Sequence, residues 1–346
     1  MAKREVLRIV FCGLVSLSPI QATQQSVELT AGTFTISGRV INSRGETPTD
    51  LTFTIGHDDG DGFSGGGGPL EADGTFTVRN LTPARYVLQA GPPSEALPIA
   101  SGFEGGFAVV DVTTADVTGV VIRTHPTVSV RGRARFESDA ADAARPTIYP
   151  SAWLALNGVG IGAGTQSTQV AEDGSFTLHN VFGPRVIRSA YMFGDARSPW
   201  WEGPVLLDGR DITNVPTEFE RYPNGALELV FTRHPTGLWG TALDIAGLPS
   251  PNAHVIVFAA DRDLWQPWAS TTNVVRTNED GRFFLAAPAG RYLAVALPDE
   301  TFPSRSAAMR DFPALSRLAE PVTIAADRPR GVTLTTRNLP KPAKPR

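Results

Sequence analysis

Asp73-Gly74-Thr75-Phe76-Thr77-Val78 returns as Asp173-Gly174-Ser175-Phe176-Thr177-Leu178, and again as Asp280-Gly281-Arg282-Phe283-Phe284-Leu285. The intervals are 100 and 107 residues, long enough for each copy to bury a core of its own. Asp-Gly supplies the positive φ of a tight turn, and the period-2 alternation after it puts Phe76 and Val78 on one face with Thr75 and Thr77 on the other. A turn and a second short strand follow each copy, as Pro83-Ala84-Arg85-Tyr86-Val87-Leu88, Pro184-Arg185-Val186-Ile187 and Gly290-Arg291-Tyr292-Leu293-Ala294-Val295. The unit reads as a hairpin with Tyr86 and Leu88 on one side and Val87 on the other.

Upstream of each hairpin lies a strand ending in glycine: Phe34-Thr35-Ile36-Ser37-Gly38, Val128-Ser129-Val130-Arg131-Gly132 and Gly237-Leu238-Trp239-Gly240. The alternation sends Ile36, Val130 and Leu238 inward, and turns Trp239 outward with Ser37 and Arg131. Each copy closes on an apolar strand, Val117 to Ile122, Leu227 to Phe231 and Val332 to Thr336. The links Thr124-His125-Pro126-Thr127 and Arg233-His234-Pro235-Thr236 match, and their prolines interrupt a ladder. The expected domains are therefore 31–126, 127–235 and 236–337. No copy holds a helical period over three turns, and Ser306 to Ala319 is the best candidate for a helical turn or a strand-edge excursion. Short strands with frequent turn signals argue an all-β protein of three antiparallel sandwiches in tandem.

Composition agrees with a folded, turn-rich chain. Gly 34 plus Pro 28 is about 18% of 346 residues, below the ~25–30% of low-complexity sequences. The 31 basic and 35 acidic side chains leave a net charge of −4 without blocks, which argues against a nucleic-acid surface. Lys3, Arg4 and Arg8, the apolar run Ile9 to Leu17 and then Ala22 read as a signal peptide over 1–22, hence a periplasmic or extracellular protein. Cys12 is the only cysteine and would leave with that signal. No later apolar run spans a bilayer, and 338–346 is a basic, Pro-rich tail expected to be disordered.

The Gly-ending strand, the Asp-Gly-x-Phe hairpin and the following Pro/Gly-x-Tyr-x-Leu/Val strand together resemble the carboxypeptidase regulatory-like domain, in three copies. That resemblance implies three tandem antiparallel seven-stranded Greek-key β-sandwiches, transthyretin-like and carbohydrate-binding-like, serving as a scaffold without peptidase activity. The third copy matches most fully, whereas in the second Arg185-Val186 replaces the Gly-x-Tyr order. Leu207-Asp208-Gly209-Arg210-Asp211-Ile212-Thr213 is similar to a segment of large exported bacterial proteins built from such domains. Two chemistries of related sandwiches are disfavoured. Lysine occurs only at Lys3, Lys341 and Lys344, so internal Lys-Asn crosslinks have no donor, and the Tyr-Arg-Gly-Ser ending of transthyretin-type hydrolases is missing.

No cofactor or metal is expected. His57, His125, His179, His234 and His254 show no ligand spacing. Within Gly56 to Gly68, Gly62-Phe63-Ser64-Gly65-Gly66 mimics a nucleophile elbow and Gly60-Asp61-Gly62-Phe63-Ser64-Gly65 a phosphate loop, but neither is followed by a helix. A flexible insert accounts for the letters, and Asp58, Asp59 and Asp61 lack the spacing of a calcium loop. Aromatic rings are the remaining candidates, because a pyranose stacks its C–H face on them. Trp200 and Trp201 lie near Arg197 and Glu202, and Trp265 and Trp268 near Asp261, Arg262 and Asp263. Neighbouring strand residues face opposite ways and Pro267 breaks a ladder, so some of these rings belong in loops, as ligand platforms or as caps and fillers between copies. The sequence thus points to a non-enzymatic, exported binding or structural module of the cell envelope, with a glycan or an envelope protein as partner. The alternatives are a hydrolase site assembled between repeats, or an accessory subunit of a larger surface complex.

Overall fold

The structure is a computed structural model that describes residues 32–48, 51–58, 63–92, 102–137, 145–156, 169–191, 200–299, 308–309, 311–325 and 330–339. The signal-like segment, the end of the basic tail, Arg197 and the loop aspartates Asp59 and Asp61 lie outside the described residues.

Strand pairings fall into three sets in chain order, each with an apolar cluster of its own. The first holds β1 (Phe34–Ile41), β2 (Thr52–Asp58), β3 (Phe63–Pro69), β4 (Thr75–Leu81), β5 (Ala84–Gly91), β6 (Glu104–Val112), β7 (Val117–Arg123) and the two-residue β8 (His125–Pro126). They form sheets ordered β4-β1-β7 and β3-β2-β5-β6-β8. The second set holds β9 (Val128–Glu137), β10 (Ile148–Leu154), β11 (Ser175–Val181), β12 (Pro184–Tyr191), β13 (Trp201–Leu207), β14 (Arg210–Asp211), β15 (Thr217–Glu218) and β16 (Leu227–Thr232), in sheets β11-β9-β16-β13-β14 and β10-β12-β15. The third holds β17 (Gly237–Leu243), β18 (His254–Ala259), β19 (Asn273–Arg276), β20 (Arg282–Ala286), β21 (Gly290–Leu297), β22 (Glu320–Ile324) and β23 (Arg330–Thr335), in sheets β20-β17-β23 and β19-β18-β21-β22. Ile36, Phe76 and Leu88 belong to one apolar cluster, Val130, Phe176 and Leu229 to a second, and Leu238, Phe283 and Val257 to a third.

The repeated turn is built the same way each time. Gly74, Gly174 and Gly281 take φ of +78°, +86° and +71°, and their carbonyls accept from the amides of Val40, Ala134 and Ala242 at 2.8–2.9 Å. Asp73 accepts from the Thr75 amide at 3.0 Å and its hydroxyl at 2.6 Å, and Asp173 likewise from Ser175 at 2.8 and 2.7 Å. These short Asx bonds hold both carboxyls below the usual carboxylate range.

The two repeated motifs meet across a strand pair. Gly38 faces Phe76, Gly132 faces Phe176 and Gly240 faces Phe283. A Cβ on these glycines would stand 2.8, 2.2 and 3.0 Å from the ring's Cζ, so each phenylalanine lies over a backbone that only glycine leaves open.

Four features depart from the sequence reading. The strands on either side of the repeated corner do not form a hairpin: β4 pairs with β1 while β5 pairs with β2 and β6, and the other two sets repeat this. The chain crosses between sheets there, through Asn80 and Asn180 at φ of 61° and 57° in the first two sets, and the corner is pinned by Tyr86 Oη donating to Thr82 O and Tyr292 Oη donating to Pro288 O, both 2.9 Å. Second, first and last strands run parallel in every set, β1 with β7, β9 with β16 and β17 with β23, within otherwise antiparallel sheets. Third, β13 joins β16 in the sheet of β9, whereas its counterparts β6 and β22 join β5 and β21. Fourth, the glycine run is no insert: Phe63–Pro69 is an edge strand in register with β2, and the link His125–Pro126 joins the same sheet through β6. The candidate helical stretch contains helix α1 (Phe312–Leu318), which buries Phe312 and Leu315 against Ile256, Phe258, Val295 and Leu297.

Candidate functional site

The four tryptophans singled out in the sequence do not come together. Trp200 is a core residue, 4% exposed, with Phe136 edge-on at 5.1 Å. Its neighbour Trp201 starts β13 and faces outward, as alternation requires. Trp265 donates from Nε1 to Ala259 O at 2.8 Å and is wedged between Phe258, Phe312 and the Arg262 guanidinium at 5.3–5.6 Å. Trp268 is 4% exposed and packs on Ala155 and Val186 of the second set. Its Nε1 donates to Leu156 O at 3.2 Å, and its carbonyl accepts from Arg188 Nη2 at 2.6 Å. Trp200 and Trp268 therefore offer no ring face to a ligand, and Trp268 fills the junction between the second and third sets.

The first and second sets meet through another strand-β12 arginine. Arg185 lies 12 residues after Asp173, as Tyr292 lies 12 after Asp280, and it makes the corner bond in place of a phenol, Nε donating to Phe182 O at 2.7 Å. Its guanidinium stacks on the Phe182 ring at 4.4 Å and reaches Gln89 of the first set at 3.4 Å. Complete burial brings its pKa down to about 9, against the attraction of Glu220.

What does stand in the open is an aromatic row that the site reasoning passed over. Trp239 and Phe284 are 54% and 41% exposed, and they are direct cross-strand partners on β17 and β20. Trp201 of the second set meets Phe284 edge-on at 5.8 Å and is 38% exposed. On the other side Trp239 is paired with Gly331 of β23. A Cβ at 331 would stand 2.7–3.0 Å from Cζ2, Cε2 and Cη2 of the indole, so the six-membered ring rests on the bare backbone of β23 and keeps its other face to solvent. The next row on the same face is Arg282, Thr241 and Thr333. At these positions the other two sets carry polar residues: Ser37 and Arg131 replace Trp239, and Thr77 and Thr177 replace Phe284. The signal was available in the outward register of Trp239 and in the doubled Phe283-Phe284, one ring for each face of the strand.

The histidines are scattered. His57 tilts against Tyr86 at 4.8 Å, His254 lies 3.8 Å from Asp299 beside Arg276, and His125 and His234 are exposed in the links. His179 Nδ1 is 3.2 Å from Ser129 Oγ, but the pair stands on the exposed sheet face of β9 and β11 within one set. Among the described residues no three His, Cys, Asp or Glu side chains are grouped to hold a metal ion, and no helix is long and apolar enough to cross a membrane.

No family model and no curated protein matches the chain. Among solved structures it is similar to the Bacillus anthracis TIE protein (10% identity, TM-score 0.22, covering 89% of this chain and 51% of that one). It is also similar to a streptococcal ancillary pilin (10%, 0.22; 88% and 99%). A third is the pair of B repeat units of the collagen binding protein of Staphylococcus aureus (10%, 0.20; 76% and 68%). The chain spans about half the length of the TIE protein. At such scores the all-β architecture rests on the strand pairings given above.

Proposed function

We propose that this chain is a non-enzymatic, exported array of three β-sandwich domains, 31–126, 127–235 and 236–337, that binds carbohydrate at the cell envelope. One observation carries the reading: the outer face of sheet β20-β17-β23 presents Trp239, Phe284 and the adjoining Trp201 to solvent, where the positions equivalent to Trp239 and Phe284 in the other sets hold Ser37 and Thr77, and Arg131 and Thr177. An exposed indole lying flat on a sheet matches the apolar C–H face of a sugar ring, and an aromatic-rich patch of this kind marks an interaction site. The resemblance to carbohydrate-binding-like sandwiches points the same way as fold analogy only. Of the four tryptophans first considered, Trp201 stays in the proposed site; Trp200, Trp265 and Trp268 become structural.

The test is tryptophan emission of the intact chain titrated with a glycan panel. Saturable change that is lost in Trp239→Ala and kept in Trp265→Phe is the expected result. A flat response from every glycan overturns carbohydrate binding, and the aromatic row then passes to an envelope protein as partner.

A further inference from the structure

The row beside the indole says which sugar. We propose that the face of β20-β17-β23 is selective for an acidic pyranose, a hexuronate, whose ring stacks on Trp239 and whose carboxylate is taken by Arg282. This rests on the reading of the face as a carbohydrate site.

Thr241 lies two residues beyond Trp239 on β17, and Arg282 faces Thr241 from β20. One strand spacing across and two residues along put the Cα atoms of Arg282 and Trp239 about 8 Å apart, within reach of a long side chain leaning toward a ring stacked on the indole. Arg282 is exposed, and among the described residues no carboxylate pairs with it. A planar guanidinium pairs a carboxylate through two parallel N–H donors, which is the strongest contact such a surface offers an acidic sugar. Thr241 and Thr333 share the row and can bond hydroxyls on the opposite side of the ring.

The arrangement is particular to the third set. In the first two, the arginine occupies the central strand, as Arg39 opposite Thr75 and Arg133 opposite Ser175, and Arg133 is engaged with the carbonyl of Asp173 at 3.2 Å. In the third set the arginine sits one strand aside, on β20, and the central strand carries threonine at that position. Gly331 completes the site as a positioning residue, because any Cβ there lifts the indole off its seat.

The experiment compares trigalacturonate, its fully methyl-esterified form and neutral cellotriose against the intact chain at low salt, read by calorimetry and by tryptophan emission. The free acid is expected to bind about tenfold or more tightly than its ester, with the difference shrinking as salt rises. Arg282→Gln should remove that difference. Trp239→Ala should abolish binding of both, and Gly331→Ala should shift the indole emission even without ligand. Equal affinity for acid and ester, or a difference that survives Arg282→Gln, overturns the acidic preference while the carbohydrate reading stands. Failure of all three sugars to bind overturns the hexuronate proposal, and only a flat response across the whole glycan panel overturns the carbohydrate reading with it.

Discussion

Gly132→Ala is the sharpest test of how the repeated motifs act together. At Gly38 and Gly240 an added Cβ would stand 2.1 Å from the carbonyl oxygen of Val120 or Val332, so backbone and ring would resist it together. At Gly132 the three nearest atoms all belong to the Phe176 ring, at 2.2, 2.7 and 2.8 Å. Carbon atoms pack at about 3.5–4.0 Å, so the tip of the ring must retreat by about 1.3 Å or more. Phe176 is 5% exposed within the cluster of Val130, Leu178 and Trp200, and overpacking such a core costs about 1–3 kcal/mol. Removing the ring in Phe176→Ala costs about 3–5 kcal/mol. In the double variant the new methyl has nothing to strike and partly fills the void. The two changes should therefore be less than additive, by about 1–3 kcal/mol. Urea unfolding followed by tryptophan emission measures this directly, because Trp200 sits in the same cluster. A Gly132→Ala protein within about 0.5 kcal/mol of wild type, or strict additivity in the double variant, would refute the seat-and-ring account.

Other consequences are as concrete. Trp268→Ala should cost about 3–5 kcal/mol and loosen the third set from the second, seen as a lower Tm and a larger radius of gyration in solution scattering. Burial raises the Tyr292 phenol to about 12, so its protonated form stabilises the fold fully below pH 10 and that contribution is lost as pH rises toward 12, by about 2–3 kcal/mol. Tyr292→Phe should abolish this alkaline step and cost about 1 kcal/mol at neutral pH, as urea titrations across pH will show. Arg185→Met should leave thermal stability unchanged or raise it by up to about 2 kcal/mol, because an apolar side chain avoids burying a cation; a clear drop in Tm would show that its bonds to Phe182 and Gln89 outweigh that cost.

Much of the architecture is written in local letters. The positive-φ glycines, the inward Ile36, Val130 and Leu238 and the outward Trp239 follow from turn chemistry and period 2 alone. What escapes is anything that joins distant residues. Gly132 and Phe176 are 44 positions apart, and only strand pairing makes them one feature. Crossing between sheets at Asn80 and pairing back within one sheet demand the same alternation in β4 and β5, so the corner looks like a hairpin. Val205 and Leu207 are buried in the core cluster whichever partner β13 takes, and its change of sheet leaves no mark. The same limit governs the surface. Trp268 resembles an exposed loop ring because the surface that covers it belongs to the preceding set, while Trp239 and Phe284 become one row only through a register that sequence does not print.

The parallel pairing of first and last strands has a mechanical meaning. In each set the chain enters at one end of the strand pair and leaves at the other. Tension applied through the two links pulls these neighbours in opposite directions along their length. The evenly spaced bonds of a parallel ladder then share the load at once, in shear, instead of opening one after another as a zipper does. A chain strung this way resists extension best along the line on which its own backbone would transmit it.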